Sequence, residues 1–195
     1  MKYTILLDSS NTSLTVGLAD ENNLLDSISY EAWQAQSEHM IPELDKLLNK
    51  HQINRDDIAS VIVAIGPGSY TGVRIALTIA KTIATALKID LYPISSLQIL
   101  KDGKKPSICL INARSNRSYI GVYENDICLL NDQIMKNQDV NKYILNHPHY
   151  SICGETNYLN IEGYKANIAK EMWSLKPSLV KAINPLGVVP IYLRD

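Results

Sequence analysis

The sequence predicts a mixed α/β protein built as two unequal lobes, and three observations predict it. The chain opens with three short apolar or alternating runs joined by turn-like residues. A segment of helical period, a buried strand and a second helical segment follow. A charged, turn-rich stretch, Lys101-Asp102-Gly103-Lys104-Lys105-Pro106, then precedes further strands and helices. The expected lobes are residues 1–101 and 102–195.

Tyr3 to Leu7 is the first apolar run and ends in the polar cluster Asp8-Ser9-Ser10-Asn11. Leu14, Val16 and Leu18 alternate with Thr15 and Gly17, and Leu24 to Tyr30 follows the turn Asp20-Glu21-Asn22-Asn23. Three strands on tight turns make an antiparallel meander. Met40, Ile41, Leu44, Leu47 and Leu48 then recur at helical spacing, and Pro42 fits if it lies in the first turn. Val61 to Ile65 reads as a strand buried on both faces.

The helix expected over Val73 to Leu87 is apolar around most of its circumference, leaving a narrow stripe of Arg74, Thr78, Lys81, Thr82 and Thr85. Either it is a core helix covered by its own chain, or it has one face for the sheet and one for a partner. Ile89 to Ile94 closes the first lobe. Strands follow at Ile108–Asn112, Tyr119–Tyr123, Ile127–Leu130 and around Tyr150–Cys153, with helices near Val140–Asn146 and Ala166–Leu175. A tail punctuated by proline, Pro185 to Arg194, ends the sequence.

The chain has 195 residues, 46% hydrophobic and 20% charged, enough for a sizeable core. A net charge of −1 gives no reason for tight direct binding to nucleic acid or an anionic membrane. Cys109, Cys128 and Cys153 are odd in number, form no Cys-x-x-Cys pair and sit in apolar runs, so buried thiols and a cytoplasmic home are expected. The N-terminal apolar run is too short for a signal peptide, and no stretch has membrane-spanning length.

Gly66-Pro67-Gly68-Ser69-Tyr70-Thr71-Gly72 concentrates three of the nine glycines between a buried strand and a long helix. A glycine-rich turn at a helix N-terminus can cradle phosphate. Here G-x-G-x-x-x-G is one residue longer than the dinucleotide fingerprint, no acidic residue closes a following strand about 20 residues on, and there is no Gly-Lys-Ser/Thr. A tight structural turn, with Ser69 or Thr71 capping the helix, is the favoured reading beside the cradle.

The ten residues Gly66 to Ile75, Gly-Pro-Gly-Ser-Tyr-Thr-Gly-Val-Arg-Ile, resemble the signature of the TsaB family. Asp8-Ser9-Ser10 stands where that family has its first strand end, and Ser37-Glu38-His39 with Ile41-Pro42 is similar to its E-H-x-x-x-L-P segment at closer spacing. Ile111-Asn112-Ala113-Arg114 is similar to its I-D-A-R strand, with Asn112 in place of the aspartate; Pro190-Ile191-Tyr192-Leu193-Arg194 is similar to its C-terminal P-x-Y-L-R. The likeness runs in order over nearly the whole chain. It implies a ribonuclease-H-like N-terminal lobe of the actin-like ATPase superfamily and a shortened second α/β lobe.

It further implies a non-catalytic subunit of the bacterial tRNA N6-threonylcarbamoyladenosine synthase. Such a subunit holds the catalytic TsaD and with it the ATPase TsaE, pairs with a second copy when alone, and meets tRNA only through the complex. No cofactor of its own is expected, ATP and metal belonging to the partner subunits. The implied partner face and signature comprise Gly66, Pro67, Gly68, Ser69, Tyr70, Thr71, Gly72, Arg74, Leu77, Ala80, Lys81 and Ala84, with Glu38 and His39. The small residues Ala76, Ala80 and Ala84 would let a neighbouring helix approach.

TsaD itself carries a His-x-x-x-His metal pair on the first helix. Here His39 is followed four residues on by Glu43, which reads as a surface pair without a third ligand. Asp8, Ser9 and Ser10 are the candidates for a nucleotide contact, with Asp8 expected rather to accept hydrogen bonds at its strand end. The alternative function is an active ATP-dependent, kinase-like enzyme of the same superfamily. A glycoprotease and a direct tRNA-binding module are further rivals, opposed by the missing histidine pair and by the charge balance.

Overall fold

The computed structural model describes residues 2–193. Arg194, the last position of the C-terminal motif, lies outside the described residues. The first half of the chain forms β1 (Tyr3–Asp8), β2 (Ser13–Ala19), β3 (Leu24–Glu31), α1 (Gln36–Lys50), β4 (Ile58–Ala64), α2 (Tyr70–Leu87) and β5 (Asp90–Ile94). The second forms β6 (Ser107–Arg114), β7 (Arg117–Glu124), β8 (Ile127–Lys136), α3 (Asn137–Asn146), β9 (Ser151–Gly154) and α4 (Ile168–Leu175).

The first sheet has the order β3-β2-β1-β4-β5. β1, β2 and β3 are the antiparallel meander, whereas β4 lies parallel to β1 and β5 parallel to β4. Side chains alternate between sheet faces. Ile5, Leu7, Val61 and Val63 therefore join one core with α1 and α2, and Leu6, Ile62 and Ala64 join another with α4. Covering on both faces explains why β4 is a continuous apolar run.

The second sheet has the order β8-β7-β6-β9. β6, β7 and β8 are again an antiparallel meander, α3 follows, and β9 returns parallel to β6. The first four strands of both sheets thus share one topology, although no repeat is visible in the sequence. After β9 the chain returns to the first sheet. Helix α4 packs on β1, β2 and β3, and Gly17 permits this, since a methyl group there would lie 3.1 Å from the Cβ of Ala169. The tail continues across the same unit, with Ala182 N–H donating to the Leu91 carbonyl and Ile191 N–H to the Ile65 carbonyl.

Pro42 lies inside α1, not in its first turn, because the helix begins at Gln36. The ring sits on the exposed side, where water can satisfy the freed carbonyl. β8 continues past Leu130 to Lys136 because Asp132, unpromising in a strand, accepts hydrogen bonds from Tyr123 and Ser95. α3 starts three residues earlier than expected, and α4 two later, at the Asn167 cap whose side chain accepts the Lys170 N–H. Cys109 and Cys153 are buried as anticipated, but Cys128 is exposed.

Met172 of α4 is fully buried between the sheet and Leu175. Met172→Ala should cost about 2–5 kcal/mol of stability, measured as a lowered urea midpoint with the slope unchanged.

Candidate functional site

The glycine loop closes on two other segments of the chain through backbone contacts. β1 ends at Asp8, and the turn that follows brings the carbonyls of Ser9 and Ser10 against the loop after β4. Ser69 N–H donates to the Ser10 carbonyl at 2.6 Å, and the Ser9 hydroxyl donates to the Gly72 carbonyl at 2.7 Å. A side chain at Gly68 would run into the Ser10 carbonyl, and one at Gly72 into that of Ser9. Gly66, at φ +105°, faces the Ile191 carbonyl of the tail at 2.7 Å from an added methyl. Each glycine of the signature is therefore a docking point for another stretch of backbone.

Ser96, absent from the sequence reading, holds the other side. Its hydroxyl accepts the Gly66 N–H at 3.0 Å, and its own N–H donates to the Gly66 carbonyl at 2.8 Å. A serine pair at a strand end was the only available signal. The Gly66–Pro67 peptide is cis. Ser69 caps α2 by accepting the Gly72 N–H at 3.2 Å, so one of the orphan donors of this helix is met by the chain itself.

Asp8, Ser9 and Ser10 are all buried. The Asp8 carboxylate accepts the Ser10 N–H at 2.9 Å. Burial raises the Asp8 pKa above the ordinary 3.8, opposed by hydrogen bonding from Ser10. The turn also fixes the start of α1, since the Gln36 amide donates to the Asn11 carbonyl at 3.1 Å.

The helix residues divide into two groups. Leu77, Ala80 and Ala84, expected on a partner face, are buried against the chain's own first sheet along with Ala76. The small alanines let α2 approach β4 closely, and the four residues present almost no surface to a neighbour. Arg74 is exposed; its guanidinium donates to the Tyr70 hydroxyl and lies 5.0 Å from the ring centroid. Tyr70 stacks on Tyr192 of the tail at 5.3 Å, and the Lys81 ammonium donates to the Val188 carbonyl at 2.8 Å. Arg74, Thr78, Thr82 and Thr85 form the exposed stripe, edged by half-buried Ile75, Ile79 and Ile83.

Glu38 and His39 lie on the exposed side of α1, and His39 meets the Tyr30 ring edge-on at 6.0 Å. Glu43 is buried rather than on the surface, accepting from Lys46 at 2.8 Å and from the Tyr30 hydroxyl at 3.2 Å. Those donors hold its pKa below the ordinary value. His51 pairs with Asp26 at 3.0 Å. Among the described residues no group of three or more His, Cys, Asp or Glu side chains is placed to hold a metal ion.

A meander, a helix and a parallel strand, repeated in a second sheet, define a ribonuclease-H-like fold of the actin-like ATPase class. Residues 30–176 match the family model described as "TsaD: tRNA N6-adenosine threonylcarbamoyltransferase", and the chain belongs to that family. It is similar to the tRNA threonylcarbamoyladenosine biosynthesis protein TsaB of Bacillus subtilis, 35% identical over 142 residues. That match covers 70% of this chain and 62% of the Bacillus protein. It is also similar to the Mycoplasma genitalium protein MG208, 28% identical over 197 residues, which cover 100% of this chain and 96% of that one. In fold it resembles the solved structure of YeaZ from Pseudomonas aeruginosa, with a TM-score of 0.80 over 99% of this chain and 100% of that one, at 20% identity.

Two predictions follow from the interlock. Gly72→Ala should destabilise the protein by about 1–3 kcal/mol through overpacking, read by thermal or urea melting. Because the folded pKa of Asp8 is raised, the native state binds more protons than the unfolded one just above pH 3.8, so ionisation of Asp8 lowers stability as pH rises through its folded value. Asp8→Asn should remove that decline, giving a flatter stability profile on the alkaline side of the ordinary carboxylate pKa in urea titrations.

Proposed function

We propose that this chain is the non-catalytic subunit of a tRNA N6-threonylcarbamoyladenosine synthase, binding a TsaD protein and, with it, TsaE. The single observation that carries the reading is the 35% identity to the Bacillus TsaB protein. The geometry supports the non-catalytic part. The turn after Asp8 is occupied by the chain's own glycine loop, which packs on the Ser9 and Ser10 carbonyls. An ATP-dependent enzyme would need that turn open to phosphate. Titration with ATP and magnesium tests the rival: micromolar binding abolished by Asp8→Ala would favour it.

The reading needs no cofactor on this chain, and it places ATP, metal and tRNA recognition with the partner subunits in the cytoplasm. No helix among the described residues is long and apolar enough to cross a membrane. The partner face moves from the buried alanines to the outer side of α1 and α2. There Ile41 is half exposed, and Ile79 lies beside the exposed Thr78. Pairing with a second copy would use the same face.

Thr78→Arg should leave the melting temperature unchanged and abolish co-purification with TsaD; a complex that survives would remove α2 from the interface. The function itself is tested by reconstitution with TsaD, TsaE and the enzyme that forms threonylcarbamoyl-adenylate. Modification should depend on this chain, and an unchanged rate without it would overturn the reading.

A further inference from the structure

A cavity of about 640 Å³ opens at the end of the first sheet opposite the glycine loop. Thr4 and Ser60 stand at the starts of β1 and β4, whereas Asp8 and Gly66 follow their ends. The Trp173 and Tyr92 rings line this cavity, with Leu179, Lys176, Glu21 and Asn22. The volume is that of a small-molecule site.

Lys176 makes the cavity chemically specific. Its half-buried ammonium donates to the Thr4 hydroxyl at 2.7 Å, and Thr4 shares a 2.9 Å hydrogen bond with Ser60. Among the described residues no carboxylate lies within 4 Å of it. It sits 4.9 Å from the centroid of the Trp173 ring. Burial pulls its pKa below the ordinary 10.5, and Asp90 and Glu21 push the other way from a distance. A lysine at a helix C-terminus can serve the helix dipole alone. This one instead sends its ammonium to the sheet, beside the Trp173 ring.

We infer that this cavity binds a small aromatic carboxylate, its head on the Lys176 ammonium and its ring against Trp173 and Tyr92. A half-buried cation with no carboxylate within 4 Å gains by pairing with an anion. The rings and Leu179 favour a flat apolar body. Glu21 on the same wall repels added negative charge, which favours a singly charged carboxylate over a phosphate dianion. The site is separate from the partner face, so it stands or falls independently of the proposed function.

The test is calorimetric titration of the full chain with indole-3-acetate, using uncharged indole and AMP as comparison probes. Indole-3-acetate should saturate one site with a Kd below about 1 mM, with both comparison probes at least tenfold weaker. Lys176→Met should weaken binding at least tenfold, and Lys176→Arg should keep it. Trp173→Leu, which leaves the ammonium in place, should weaken it as well. Absence of saturation, equal binding by Lys176→Met, or tighter binding of AMP would each overturn the inference.

Discussion

The contact on which the rest of the first unit depends is backbone against backbone: the carbonyls of Ser9 and Ser10 seated on Gly72 and Gly68. A side chain at either glycine would separate the turn after β1 from the N-terminus of α2. The same turn receives Gln36 from α1 through the Asn11 carbonyl, so both helices on one sheet face take their starting positions from residues 8–11. The Ile191 carbonyl brings the tail to Gly66 as a third approach. A buried loop must satisfy its polar backbone groups internally, and here three segments do so for one another.

Much of this was legible in the sequence, for definite reasons. The 66–72 loop stands out because glycine is the residue that tolerates close backbone approach, and the approach itself is what the spacing records. Alternation in β2 and helical recurrence in α1 report which side chains face the core. A small residue signals a close neighbour without saying which one, and for the alanines of α2 that neighbour is β4. The Ser96 clamp and the Asp132 bonds that keep β8 extended stayed hidden, because their partners lie far along the chain. The cavity beside Lys176 joins Glu21, Tyr92 and Trp173 from three separate regions, and no local pattern could unite them.

The two sheets begin alike and end differently. In the first, the parallel addition continues to β5, whereas the second stops at β9. Asp132 of β8 reaches Ser95, which follows β5, and Tyr123 of β7, so one carboxylate links the ends of both units. Burial raises the pKa of Asp132 and the hydroxyl donors oppose it, a balance that keeps a polar bridge in a mostly apolar contact.

The return of α4 to the first sheet has a consequence for synthesis. One face of β1 and β4 waits for a helix that begins more than one hundred residues after β4 ends. A chain emerging from the ribosome can form the meander and lay α1 and α2 on one side, but Leu6 and Ile62 remain bare until residues 168–175 have been released. The second sheet is therefore synthesised while its older neighbour is still incomplete, and a helix that follows the second sheet in the chain is what covers the first.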